Sequence, residues 1–294
     1  MTITTDEGWD VDGTPLQTLM WNIRTWGGSL RGTPPLRGED VTIPGRPGRV
    51  WVPKVPDSRT LVFEGWVLGA DVDGRAGDTT LFRKNWRALR GLFFGAPDRQ
   101  IALTQRFRDE DGVLVEAVGH GQVLDPLLPE NTGPTRAKYS AAVFMADPFF
   151  YGEQVSIPID AAEARLYGEG PYGDGPYGGS PIVVNQMVVP GDAASTSIVL
   201  RFTGPLTQAR VVAGDQWVEV STLAAGWTLD FDVQEYRATL TAPGGATSNG
   251  LGRLTHGPGA PWLTLGIGEQ DVLLVLPDDT QTGAAEFLYR PAYL

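Results

Sequence analysis

The residues that could perform chemistry are few and lie far apart along the chain. The sequence contains no cysteine and two histidines, His120 and His256, each followed by glycine. A Ser-His-Asp triad needs a histidine beside its nucleophile, and a zinc site needs several His or Cys ligands, so both chemistries depend on these two positions. A histidine beside glycine is typical of a solvated loop. We therefore predict no catalytic residues, no metal and no cofactor.

Pairs of carboxylates leave one enzymatic alternative open. Glycoside hydrolases work with two carboxylates across a cleft, and the chain has 35 Asp and Glu residues from which such a pair could come. Pairs of this kind arise in any chain this acidic, so they do not identify an enzyme. We predict a non-enzymatic protein and keep glycoside hydrolysis as the remaining catalytic hypothesis.

Three glycine-containing turns resemble ligand-binding loops. Residues 71–74 and 109–112 are acidic, like fragments of a calcium loop, but both lack the alternating oxygen ligands and the closing glutamate. Residues 44–49 form a basic turn without the Gly-Lys-Ser/Thr ending of a phosphate-binding loop. The sequence therefore predicts tight turns, rather than ligand sites, at all three places.

One convincing helix begins after Asp78, a favourable N-cap residue. Apolar residues then recur at spacings of four, three and four, which places them on one buried face: Phe82, Trp86, Leu89 and Phe93. The rest of the helix is basic and carries Arg83, Lys84, Arg87 and Arg90. We expect this basic face to pair with carboxylates of the same chain or of a neighbouring copy, with anion binding as the alternative.

A long strand is predicted at residues 59–69, and both of its faces are largely apolar. Leu61, Phe63 and Val67 alternate with Val62, Trp66 and Leu68. Such a strand is central in its sheet and either is buried on both sides or lies in an interface. We therefore take Trp66, together with Arg83, Arg87 and Arg90 of the helix, as candidate residues of an oligomer interface.

Short strands bounded by glycine, proline or aspartate fill the remainder of the chain. In the first half they include a hairpin at 101–107 and 114–118. In the second half they fall at 182–189, 197–202, 209–212, 216–220, 227–233, 237–242, 262–265, 271–276 and 286–290. The chain is therefore predicted to be mainly β, with a sheet-rich first domain that packs one helix and a second domain of two antiparallel sheets, a β-sandwich or jelly roll. Sandwiches of this class also bind sugars, which makes Trp217, Trp227 and Trp262 alternative glycan-stacking residues.

A pentapeptide of the form Tyr-Gly-x-Gly/Ser-Pro occurs three times in succession up to Pro181. Glycine and proline at this density interrupt both helices and strands, which is typical of a linker. Three tyrosines at a fixed period could also dock on a partner. We predict domains at 1–151 and 182–294, joined by a linker at 152–181.

The overall charge limits the classes of partner. The formal net charge is −12, and the sequence pI is about 4.6. A positive footprint, which binding to nucleic acid or to an anionic membrane requires, is not expected from this composition. The first residues do not resemble a secretory signal, and apolar runs fall short of the ~20 residues that span a bilayer. We expect a soluble protein made in the cytoplasm.

Several stretches, taken in order and with their spacing, resemble the distal tail (Dit) proteins of long-tailed siphophages, in particular minor tail proteins of phages of actinobacteria. These stretches are 37–40, 43–48, the strand at 59–69, the helix with Trp86 and Leu89, the segment Ala-Asp-Pro-Phe-Phe-Tyr at 146–151, and 289–294. The resemblance covers both halves of the chain. The Tyr-Gly-Pro repeats have no counterpart in the family pattern.

The resemblance implies a structural role in the virion tail tip. It implies a tail-tube-like N-terminal β domain that forms a hexameric ring, and a galectin-like C-terminal sandwich that projects outward. The implied partners are the major tail (tube) protein, the tail-tip hub and the tape measure protein, while DNA passes through the ring without specific binding. No catalytic residues come with this family. A glycan-binding adhesion module of the tail tip is the alternative function.

Overall fold

The computed structural model describes most of the chain. The described residues are 7–24, 30, 32–40, 42, 44, 49, 52, 54–75, 77–94, 99–124, 128–159, 161–162, 185–195, 197–257, 263–277 and 281–294. The Tyr-Gly-Pro repeats, residues 45–48 of the basic turn, and Trp262 lie outside them. The chain divides into two compact units, Met1–Gly152 together with Leu294, and Glu153–Tyr293.

The N-terminal unit is built on a curved antiparallel sheet. Its elements are β1 (Gly8–Val11), β2 (Thr14–Pro15), β3 (Trp21–Ile23), β4 (Leu36–Arg37), β5 (Val55–Pro56), β6 (Arg59–Leu68), α1 (Thr79–Phe94), β7 (Ile101–Arg108), β8 (Leu114–Val123), β9 (Leu128–Gly133), β10 (Arg136–Met145) and β11 (Phe150–Tyr151). The strand order is β2-β1-β7-β8-β10-β6-β3, while β9 pairs with β10 and β11 pairs with β8. β4 and β5 form a separate two-stranded ribbon. The predicted hairpin is confirmed as β7 and β8.

Strand β8 lies where the sheet bends and pairs with a different neighbour at each of its ends. Its first eight residues pair with β7, whereas Gln122 and Val123 pair with β10. A Cβ atom on Gly119 would lie 2.6 Å from the Met145 side chain. Glycine therefore allows core side chains to approach the backbone of β8, which a strand with ordinary side chains would prevent.

The core of the N-terminal unit is aromatic. The Trp9 ring meets Phe63 and Phe150 edge-on, with ring centroids 5.5 and 5.3 Å apart. Phe63 in turn lies 6.1 Å from Phe93 of the helix. Edge-to-face contacts at these distances are favourable because a positive ring edge faces a negative ring face. The tilted contact between Phe63 and Phe93 holds α1 against the core-facing side of β6.

The helix begins where the sequence predicts. Asp78 accepts hydrogen bonds at Oδ1 from the backbone N–H groups of Thr80 and Leu81, at 2.8 and 3.1 Å, which confirms it as the N-cap. Two of the four predicted core residues, Leu89 and Phe93, are buried. The other two, Phe82 and Trp86, are only half-buried. The centre of the buried face is therefore shifted around the helix from the predicted stripe.

The shift is explained by Asn85, a polar residue that is 3% exposed. Its side-chain amide donates hydrogen bonds to the carbonyl oxygens of Leu68 and Ala70, at 2.7 and 2.8 Å. These carbonyls lie where β6 ends, and an apolar residue at position 85 would remove their donor. Hydrophobic spacing carries no signal for a buried asparagine of this kind.

Strand β6 is central, as predicted, but it is buried on one face only. It lies between β10 and β3, and its ladder with β10 runs from Leu68↔Arg136 to Arg59↔Met145. Leu61, Phe63 and Val67 are buried on the core side. On the other side Val62, Trp66 and Leu68 are half-buried, and they alternate with exposed polar residues. The prediction that both faces are buried is therefore wrong, because exposed polar residues of β6 lie among the apolar residues of its outer face.

The C-terminal unit consists of two sheets around one core, and their strands are antiparallel except for one short parallel pair. Its strands are β12 (Val155–Ile159), β13 (Ala161–Ala162), β14 (Asn185–Val189), β15 (Ile198–Thr203), β16 (Leu206–Ala213), β17 (Gln216–Leu223), β18 (Thr228–Asp232), β19 (Arg237–Thr241), β20 (Thr247–Asn249), β21 (Leu254–His256), β22 (Gly268–Val275), β23 (Ala284–Tyr289) and β24 (Ala292–Tyr293). One sheet has the order β12-β23-β15-β18-β19-β20; the other has the order β13-β22-β16-β17-β21, with β14 also on β22. The mainly β fold class is confirmed.

Part of the segment assigned to the linker is structured. β12 pairs with β23 over five residue pairs, from Val155↔Tyr289 to Ile159↔Ala285, and β13 pairs with β22. Ile159 is 4% exposed in the core. Residues 155–159 and 161–162 therefore belong to the second unit, because their strands pair with β23 and β22. The independent folding of the two halves stays a prediction.

Among the described residues, the helices are too short or too polar to cross a membrane.

Candidate interaction surfaces

The outer face of β3, β6 and β10 forms a pocket of about 660 Å³ around Trp66. Its lining residues are Asn22, Ile23, Arg24, Glu64, Gly65, Trp66, Glu130, Lys138, Tyr139 and Ser140. The guanidinium carbon of Arg136 lies 3.6 Å from the Trp66 ring centroid, and Lys138 Nζ lies 5.4 Å from it. Cations of the same sheet thus cover part of the indole by cation–π contact. Most side chains that line the pocket are charged or form hydrogen bonds, so a molecule bound there would be held by ion pairs and hydrogen bonds.

The floor of this pocket has an unusual backbone arrangement. Asn22 accepts the N–H of Trp66 with its side-chain oxygen at 3.2 Å, while its carbonyl oxygen accepts the hydroxyl of Tyr139 at 3.1 Å. A Cβ on Gly65 would collide with that carbonyl. Burial raises the pKa of Tyr139, so the hydroxyl remains a donor. Sequence pattern gives no sign of this contact apart from a glycine inside a strand.

The basic face of α1 is solvent-exposed and consists of Arg83, Lys84, Arg87 and Arg90. None of these four side chains has an ion pair or hydrogen bond with the described part of the chain. The helix itself contains no Asp or Glu. Pairing with carboxylates of the same chain, one of the two predicted outcomes, is thus not seen within the described residues.

The structure does not bring the candidate interface residues together. Phe63 packs on Phe93 of the helix, so α1 covers the core side of β6. Trp66 lies three residues further along and points to the opposite side of the sheet. Trp66 and the three arginines therefore belong to two separate surfaces. Their part in an oligomer interface remains a prediction.

The two acidic turns use their first carboxylate internally. Asp109 Oδ1 accepts the N–H groups of Asp111 and Val113, at 3.1 and 2.8 Å. Asp71 Oδ1 does the same for Asp73 and Arg75, at 3.0 and 2.8 Å. Each turn has a glycine at positive φ, as such geometry requires. Among the described residues, no three acidic or histidine side chains are placed to hold a metal ion.

The tryptophans considered for glycan stacking have partners in their own unit. Arg210 lies 4.1 Å from the Trp217 ring centroid and forms a 2.7 Å ion pair with Glu219. A Cβ on Gly257 would lie 2.8 Å from Trp217 Nε1, so the backbone there is close to the indole. Trp227 packs against the sandwich core. Both rings are half-buried, and each has contacts within its own unit.

The two histidines lie on strands of different units, rather than in the loops that their glycine neighbours predict. His120 lies on β8 opposite Ala102, and His256 lies on β21 in the other unit, with Nδ1 2.6 Å from the carbonyl oxygen of Gly257. Near His120, Arg99 forms an ion pair with Asp12, at 2.7 Å. The hydrogen bonds from Arg99 lower the pKa of Asp12.

A buried ion pair on β1 was not anticipated from the sequence. Asp10 is 9% exposed and accepts a 2.7 Å hydrogen bond from Arg106 of β7. Burial raises the pKa of Asp10, although Arg106 opposes this effect. An aspartate between Trp9 and Val11 in a strand predicts a solvent-exposed side chain, so the sequence gives no signal for this burial.

Comparison with known proteins identifies the fold. No protein-family model and no curated protein matches the chain. The chain is similar in structure to the SPP1 Dit protein (gp 19.1), described as a paradigm of the hub adsorption apparatus in phages that infect Gram-positive bacteria. The TM-score is 0.60 at 16% identity, over 98% of this chain and 99% of that one. A chain of the phage p2 baseplate in its activated conformation with Sr matches at a TM-score of 0.42 and 11% identity, over 97% of both chains. The fold is therefore that of SPP1 Dit.

Proposed function

We propose that this protein is a structural, non-enzymatic component of a phage tail tip, acting as a distal tail protein. The likeness in fold to SPP1 Dit over nearly the whole of both chains carries this proposal. It extends through the N-terminal sheet with its helix and through the C-terminal sandwich. The sequence motifs at 37–48 and 146–151 point to the same family, independently of the fold.

In this proposal the N-terminal unit forms a hexameric ring between the tail tube and the tail-tip hub. The number six comes from the family resemblance. The need for a second copy is supported by the exposed basic face of α1, whose arginines have no partner within the described chain. A closed ring satisfies such a surface on every subunit, since each copy offers it to the next.

The ring would let DNA leave the virion without holding it. A basic lumen would bind phosphates by releasing counterions, so we propose a wall of acidic or neutral side chains. The net charge of −12 agrees with that requirement. The arginines of α1 would then lie at subunit contacts, away from the lumen.

Electron microscopy of the assembled tail tip tests this function. We expect six copies of the protein in a ring between the tube and the hub, with an open lumen. Finding the protein in the tail tip without six-fold order, or with Arg83, Arg87 and Arg90 lining the lumen, would contradict the proposal. A glycan-binding adhesin would instead be monomeric and would bind host saccharides in solution.

A further inference from the structure

We propose that the basic face of α1 binds the tip of the β7–β8 hairpin of a second copy of this chain. The proposal rests on the proposed function, because assembly into a ring supplies the second copy. It assigns both sides of the contact, namely the residues around Arg87 on one copy and the residues around Asp111 on the next. The following observations support the match.

The helix presents positive charge that the chain leaves unmatched. Arg83 and Arg90 are seven residues apart, about 10 Å along the helix axis, and Arg87 lies on the same face between them. No carboxylate of the helix shares this surface. In a chain of net charge −12, the obvious complement is the acidic surface of another copy.

Gly91 supports a close approach at the same place. It lies inside the helix and is exposed, and a Cβ atom added there would meet nothing within 4 Å. Glycine costs a helix about 1 kcal/mol relative to alanine. Nothing in the described chain requires glycine here, whereas a partner that contacts the helix backbone next to Arg87 and Arg90 would.

The hairpin tip carries the complementary groups. Glu110 and Asp111 are exposed and have no ion pair with the described chain. Next to them Val113 and Leu114 are 59% and 45% exposed. Together these residues place two carboxylates beside an apolar patch. Such a surface is complementary to two arginines beside the exposed backbone of Gly91.

The tip is also preorganised for binding. Asp109 fixes the turn through its hydrogen bonds to two backbone N–H groups, so little conformational entropy is lost on docking. The other acidic turn, residues 71–74, has one carboxylate, Asp73, beside its capping Asp71, whereas this tip has both Glu110 and Asp111 beside its capping Asp109. The β7–β8 tip therefore offers one carboxylate more, with Arg108 donating to the carbonyl oxygen of Gly112 at its base.

The contact joins two different surfaces, so it can repeat head-to-tail from one copy to the next. A head-to-tail contact produces either a closed ring or an open filament, depending on the rotation between copies. In a two-fold dimer the same two surfaces would meet twice, and cross-linking would then stop at two copies. The proposal therefore agrees with a ring in which every helix face and every hairpin tip is occupied.

Charge reversal in the full chain tests the contact. We expect Arg87→Glu with Arg90→Glu to abolish ring formation, measured by mass photometry, and Glu110→Arg with Asp111→Arg to do the same. Combining all four changes should restore at least half of the ring population. Glu269→Arg with Asp271→Arg is the matched control, since it reverses two exposed carboxylates elsewhere and should leave the rings unchanged. Rings that persist in either charge-reversed variant, or that the control loses to the same extent, would overturn the proposal.

Cross-linking gives a second, direct test because the chain has no cysteine. Arg87→Cys and Asp111→Cys together should give a ladder of covalent oligomers with a short bis-maleimide, and neither change alone should extend beyond a dimer. Absence of a ladder at the highest soluble concentration overturns the contact. Rings that form without cross-linking refute the contact but leave the proposed function standing. A ladder that never closes into rings refutes the ring but keeps the contact.

Discussion

The hydroxyl of Tyr139 donates a hydrogen bond to the carbonyl oxygen of Asn22, at 3.1 Å, across the backbone of Gly65. Three strands are tied together by this contact, since Asn22 belongs to β3, Gly65 to β6 and Tyr139 to β10. It exists because glycine leaves room for a carbonyl group that any side chain would displace. The same arrangement forms the floor of the pocket beside Trp66.

Removing the hydroxyl should weaken the N-terminal unit slightly. Tyr139→Phe leaves the buried ring in place but removes the donor, so we expect a loss of about 1 kcal/mol in the free energy of unfolding. Chemical denaturation followed by tryptophan fluorescence measures it. An unchanged midpoint would show that the Asn22 carbonyl finds another donor.

Filling the space at Gly65 should be more damaging. Gly65→Ala places a Cβ against the Asn22 carbonyl and must displace β3, at a cost of about 2–4 kcal/mol. Gly133→Ala is the matched control, because a Cβ there meets nothing within 4 Å. Equal stability of the two variants would mean that β3 moves aside without a measurable loss in the free energy of unfolding.

A leucine at position 85 should destabilise the unit even though leucine favours helices. Asn85→Leu removes the donor to the carbonyl oxygens of Leu68 and Ala70, and each buried group left without a partner costs about 1–3 kcal/mol. Lys84→Leu, on the exposed face, should change stability by less than about 0.5 kcal/mol. If both variants unfold at the same denaturant concentration, the amide is not required.

Sequence reasoning found the elements but not the polar contacts that fix them. Periodicity located α1 and most strands of the sandwich because apolar burial has a period. Neither Asn85 nor the Asn22–Tyr139 contact follows a periodic pattern in the sequence, because both depend on which backbone groups meet after folding. Residues 155–162 were assigned to the linker because they stand next to a segment rich in glycine. The basic face was visible in the sequence, whereas its separation from Trp66 depends on the orientation of β6.

The pH dependence of stability should reflect the Asp12–Arg99 pair. Hydrogen bonds from Arg99 lower the pKa of Asp12 in the folded state. The stabilisation is therefore present above the unfolded pKa of about 3.9 and is lost as the pH falls through the folded value. Asp12→Asn should be less stable than the parent at pH 7, and this difference should shrink towards pH 2. A difference that is constant across this range in denaturation experiments would show that the charge of Asp12 is not involved.

The final prediction concerns where the second half can be cut free. β12 pairs with the edge of β23, and Ile159 of β12 is buried in the sandwich core. Polar side chains join the same strands, since Ser156 donates to Glu286 at 2.8 Å and Glu286 pairs with Arg201 at 3.1 Å. A fragment of residues 153–294 retains these contacts, whereas a fragment of residues 182–294 loses them and exposes the edge of β23.

We therefore expect residues 153–294 to unfold cooperatively on heating, and residues 182–294 to unfold at a lower temperature or to aggregate. Losing the burial of Ile159 alone costs about 2–5 kcal/mol by analogy with core truncation. Ile159→Ala in the longer fragment is the matched variant, because it removes the core contact but keeps the strand. Differential scanning calorimetry compares the three. Equal melting temperatures for the two fragments would show that β12 adds nothing to the sandwich, and that the second domain begins after the repeats.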